Sequence, residues 1–139
     1  MKPNIKALEE WIAVLEAAPA EKINQTGWAR TDGKIDPATG YLCASTACAG
    51  GWATLVPSLK GKLTLERKAM VNYITNLCYR DDEVPSFGVG AIKRAFGLNS
   101  RQADLIVDTY SDPGESNPPS KADVIKRVQK VLAECRGGT

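Results

Sequence analysis

The chain contains no histidine. This absence removes Ser-His-Asp and Cys-His catalysis, and with them every metal site built on imidazole. Long apolar runs are missing too. No stretch approaches the ~20 residues needed to span a bilayer, so no membrane partner is expected. Met1-Lys2-Pro3-Asn4 leads straight into an amphipathic segment, without the apolar region or cleavage site of a secretion signal. A cytoplasmic location is therefore expected. Reducing conditions there argue against structural disulfides, despite an even count of 4 cysteines. Charge of one sign is scarce as well: 18 Lys and Arg face 16 Asp and Glu, a net charge of +2. Nucleic-acid binding usually leaves a stronger basic imbalance. No glycine-rich phosphate loop, nucleophile elbow or paired-carboxylate motif occurs. Neither a repeat nor a low-complexity tract nor a linker divides the chain, so residues 1–139 are expected to form a single globular helical domain.

What is present centres on Cys43–Pro57. Ser45 is a good N-cap, because its hydroxyl can accept from the free amides that follow. The pattern predicts a helix from Thr46 that ends before Pro57, since proline disfavours helical geometry at the residue before it. Cys48, Trp52 and Leu55 then share one face. Gly50 and Gly51 each cost about 1 kcal/mol against Ala in a helix interior. Tolerating both implies close packing of another backbone, so this helix is expected to be central and buried. Cys43 and Cys48 lie near its positive end, which favours a thiolate. That gives two readings: a reactive or metal-binding pair, or two small buried apolar residues.

The stretch Cys43-Ala44-Ser45-Thr46-Ala47-Cys48-Ala49-Gly50-Gly51-Trp52-Ala53 resembles a signature of small uncharacterised bacterial and phage proteins. Their pattern runs Cys-Gly-Thr-x-Ala-Cys-x-x-Gly-(His or Trp)-Ala. Ile23-Asn24-Gln25-Thr26-Gly27-Trp28 resembles their Phe-(Asp/Asn)-x-x-x-Trp segment. Phe96-Gly97-Leu98, Gln102-Ala103 and Ser120–Ile125 match further short motifs in order. The chain departs from the pattern at Ala44 and Ser45. Where some relatives carry His it has Trp52, so any activity depending on that histidine would be absent. The resemblance implies a shared helical fold and carries no activity with it.

Around the centre, Asn4 caps a first helix to about Ala17, with Ile5, Leu8, Ile12 and Leu15 as its apolar stripe and Trp11 beside it. Residues 28–42 hold turn chemistry, notably Asp32-Gly33 and Asp36–Gly40, and predict a small hairpin or meander. The spacing imitates a calcium loop but has Lys34 and Cys43 where carboxylates are required. Thr64 predicts a helix over Leu65–Tyr79. Ser86 predicts another to Phe96, ended by Gly97 in a left-handed conformation. Asn99 or Ser100 caps a helix over Arg101–Tyr110. Ser111–Pro119 reads as an exposed loop. Ser120 and Asp123 suggest a capping box for the last helix. Val124, Val128, Val131 and Cys135 face inward there, and Lys126, Arg127, Lys130 and Glu134 face water.

The expected fold is thus mainly α: a compact bundle of five to six helices around a central buried helix, with a small hairpin near 28–42. The expected function is a non-catalytic protein that binds another macromolecule, with a phage connection and action on a host system carried by the resemblance alone. The partner is expected to be a protein. The candidate binding motif is Cys43, Ser45, Cys48, Trp52 and Trp28. Two alternatives remain. Residues 88–110 could form a helix-turn-helix unit that meets DNA through Lys93, Arg94 and Arg101. Cys43 and Cys48 could form a redox or metal site, although the Cys-x-x-Cys spacing of redox pairs is absent. No cofactor or metal is assigned, and nothing in the sequence sets an oligomeric state.

Overall fold

The computed structural model describes residues 2–20, 23, 49–67, 74–81, 84–108, 111–116 and 119–137. Helix dominates, accompanied by a small three-stranded antiparallel sheet of order β1-β2-β3.

Helix α1 spans Ile5–Ala17, and the Asn4 side chain accepts from the Ala7 amide at 3.2 Å, as the sequence predicts. Ala7, Leu8, Trp11 and Leu15 are its buried residues, so the stripe is centred on Trp11 rather than beside it. Helix α5, Lys121–Arg136, opens with a full capping box between Ser120 and Asp123. It packs against α1. Lys121 Nζ at its start donates to the Glu16 and Ala18 carbonyls at the end of α1. Arg136 at its far end pairs with Glu9. The two helices therefore run antiparallel, and Lys121 places a cation at the negative end of α1.

The predicted central segment is seen from Ala49. Helix α2 covers Ala49–Trp52, all four residues buried, and tightens into a further turn over Ala53–Leu55. Val56 is extended before Pro57, as the proline requires. Trp11 is fully buried and ties this segment to two helices. Its Nε1–H donates to the Ala49 carbonyl at 2.9 Å, and its ring stacks on Phe96 with centroids 4.2 Å apart. The predicted helix start at Thr46 and the hairpin near 28–42 lie outside the described residues.

Several expectations are corrected. The helix predicted over Leu65–Tyr79 is a strand pair: β1, Leu63–Arg67, is antiparallel to β2, Ile74–Tyr79. Leu63 faces Tyr79, Leu65 faces Leu77, and Thr64 faces Cys78. Alternation at these positions puts Leu63, Leu65, Leu77 and Tyr79 on one face, whereas on a helix residues two apart would point to opposite sides. Ser86 does not cap a helix. Ser86–Phe87 forms β3, and helix α3, Val89–Phe96, starts after Gly88 at φ +61°. Gly97 ends α3 at φ +65° as predicted. Helix α4 spans Ser100–Val107 behind a capping box of Asn99 and Gln102, slightly shorter than expected. The 111–119 loop is not wholly exposed, since Pro119 is buried. Arg127 is buried instead of wet. It lies three residues from Val124 and four from Val131, on the inward stripe of α5.

Candidate binding surface

The corner where β2, β3 and α3 meet is organised by one guanidinium. Arg94, on α3, donates through Nη2 to both carboxylate oxygens of Asp81 at 2.7 Å. Its Nη1 donates to the Val84 carbonyl and to Ser86 Oγ, the latter at 2.8 Å. The same group lies over the Tyr79 ring, 5.5 Å from its centroid. A planar fork suits this task, because it can satisfy a carboxylate along one edge and still hold further acceptors. Its partners are Asp81 just beyond β2, Val84 just before β3, and Ser86 in β3. The Gly88 amide then donates to the Leu77 carbonyl at 2.8 Å, and the backbone turns into α3.

Beside this corner Val84 is 80% exposed and Phe87 of β3 46% exposed; these are the exposed large hydrophobic residues among those described. Phe87 is opposite Cys78 in the β2–β3 register, while Ser86 is opposite Tyr79. Residues directly opposite share a face, so Phe87 stands on the other side of the sheet from the Tyr79–Arg94 contact.

The sequence-predicted site residues are distributed differently. Cys43, Ser45, Cys48 and Trp28 lie outside the described residues. Trp52 is in the hydrophobic core at 8% exposure, so it is no surface platform. Lys93 donates to Ser100 Oγ at 3.1 Å, Arg94 is paired with Asp81, and Arg101 is paired with Glu134 at 2.6 Å. Two of the three cations proposed for DNA are thus neutralised within the chain. Gln102 first, then Arg101, holds the Glu134 carboxyl below its ordinary range. Of the two described thiols, Cys78 is fully buried, and burial followed by the Glu134 charge pushes Cys135 up. Neither environment favours a thiolate. Among the described residues no group of three His, Cys, Asp or Glu could hold a metal ion. No described helix is long and apolar enough to cross a membrane.

Val84 and Phe87 were not singled out from the sequence. The available signal was an apolar Val84-Pro85 directly after the acidic Asp81-Asp82-Glu83 run. Exposure itself depends on the β2–β3 register, which residue types alone do not define. Comparison with protein families, with curated proteins and with solved structures finds no match to this chain.

Proposed function

We propose that this chain is a non-catalytic cytoplasmic protein that binds another protein, through a surface centred on Val84 and Phe87. The observation that carries the reading is a pair of large apolar side chains, Val84 and Phe87, exposed to water beside the Arg94 contacts. Exposed apolar groups gain by burial against a partner, at about 25 cal/mol per Å² before the costs of association. The Arg94 contacts restrain Val84 and Ser86 in the free protein, which lowers the entropy lost on binding. A phage-related role against a host system remains part of the proposal and rests on the Cys43–Ala53 resemblance. The DNA reading is the weaker alternative, because Arg94 and Arg101 are engaged in ion pairs.

The test compares wild type with V84S/F87S as baits for affinity capture. The variant should melt at the wild-type temperature, since both side chains are exposed, and should lose a stoichiometric protein partner retained by wild type. Identical capture by both baits rejects this surface. Turnover by the purified protein, abolished by Cys48→Ala, would reject the non-catalytic reading altogether. Mobility shifts at two salt concentrations address DNA, where salt-dependent binding would restore that alternative.

A further inference from the structure

We propose that Arg127 forms a receptor for a carboxylate, occupied in the resting chain by Glu115 of its own 111–116 strap. The argument starts with the burial of a charge. Arg127 is on the inward stripe of α5, and its side chain is 3% exposed. Burying a guanidinium is costly unless its donors meet acceptors. One side of the group is held by α4, where Nη1 donates to the Asp108 carbonyl at 2.8 Å and the Ile106 carbonyl at 3.5 Å. These carbonyls belong to a helix C-terminus, which favours a cation. The other edge of the fork points to the strap. Nε donates to Glu115 Oε2 at 3.0 Å, and Nη2 donates to Oε1 at 2.7 Å. That two-point geometry is the one a carboxylate fits best.

The strap is a self-contained turn. The Glu115 amide donates to the Asp112 carbonyl, with Pro113 and Gly114 between them and Gly114 at φ +89°. Proline followed by a positive-φ glycine is the pattern of a type II turn. The Asp112 amide donates back to Glu115 Oε1, and Ser111 Oγ donates to the Ser116 carbonyl. None of residues 111–116 is buried. The strap is therefore seated by polar contacts, those of Glu115 with Arg127 and of the Ser116 amide with Asp123 Oδ2. A segment whose one largely buried side chain is the polar Glu115 can open without exposing an apolar core. When it opens, the Ile106 and Asp108 carbonyls still hold one side of Arg127, and the Nε–Nη2 edge is released from the Glu115 carboxylate. A carboxylate supplied from outside, as a small anion or as an acidic peptide side chain, would take its place and compete with the strap.

Three measurements on the full chain test this. In wild type, the amides of 111–116 should exchange with solvent ahead of those in α4 and α5. In E115A, that exchange should accelerate by about 10- to 100-fold, the worth of hydrogen bonds to a charged group. The melting temperature of E115A should then rise saturably with formate relative to chloride at equal ionic strength. N-acetyl-glutamate α-amide in a parallel arm separates a peptide-like carboxylate from the small anion. Wild type should respond to neither, and E115A/R127M should lose the response. Absence of a formate effect in E115A overturns the receptor. So does strap exchange that occurs only with α4 and α5. If E115A fails to fold, E115Q carries the exchange measurement; loss of fold in both makes the pair part of the core and ends the proposal.

Discussion

Gly97 is constrained twice at one atom. Its φ of +65° lies where a side chain is strained, and a Cβ built there would sit 2.1 Å from the Lys2 carbonyl oxygen. The second constraint exists because the N-terminal segment crosses the end of α3, where the Asn4 amide donates to the Phe96 carbonyl at 2.8 Å. Left-handed geometry alone costs an L-residue about 1–2 kcal/mol. Gly97→Ala should therefore destabilise by more than about 2 kcal/mol in urea titration, because backbone must also move. Hydrogen exchange at the Asn4 amide should accelerate in the same variant; an unchanged rate would mean the two segments are not in contact. Trp11 allows a finer dissection. Trp11→Phe keeps an aromatic ring against Phe96 but removes the donor to Ala49, for an expected loss of about 1 kcal/mol. Trp11→Ala also empties the core and should cost about 3–5 kcal/mol. Near-equal losses for the two would mean that the hydrogen bond, not the packing, holds α1 to α2.

The helices carry their boundaries in single residues. Asn99 accepts from the Gln102 amide at 2.8 Å, and Ser120 accepts from the Asp123 amide at 3.2 Å; Gln102 and Asp123 each return a contact to the cap's own amide. Asn99→Ala and Ser120→Ala should each lower stability by about 1 kcal/mol, read by chemical denaturation. A near-zero loss for Ser120→Ala would show that Asp123 alone secures the start of α5. Cap chemistry is local, which is why Asn4, Gly97, Asn99 and Ser120 were legible in the sequence. The β1–β2 pair was not. Ile74, Leu77 and Cys78 recur at helical spacing, and what makes the segment a strand instead is its pairing with β1, which residue types in one segment do not reveal. Arg127 was misread for another reason. Residue type overruled position, although its spacing from Val124 and Val131 already put it on the inward stripe. Of the candidate surface, only the apolar break in the acidic run was visible, because its exposure follows from register and from the Arg94 contacts.

Acid should expose the molecule's dependence on its buried polar links. The Arg127 hydrogen bonds hold the Glu115 carboxyl below its ordinary value of 4.5, against the opposing effect of burial, and the Asp112 amide lowers it further. The Ser120 and Ser116 amides hold Asp123 below its ordinary value of 3.8. Among the described residues, the groups facing this junction are Arg127, Asp123 and Lys126 of α5, Asp108 at the end of α4, and Asp112 of the strap. Both shifted carboxyls are more acidic folded than unfolded. Their contribution is therefore complete above the unfolded values and is lost as pH falls through the lowered folded ones. Melting temperature should accordingly hold level from neutrality to just above 4.5 and then decline. E115Q removes one proton-binding site from this balance. Its melting temperature should be lower than wild type at neutral pH, and its decline in acid shallower, so that the two curves converge at low pH. Parallel acid limbs for the two proteins would show that protonation of Glu115 does not drive the loss, and would shift the acid sensitivity to Asp123 and its contacts with Ser116 and Ser120.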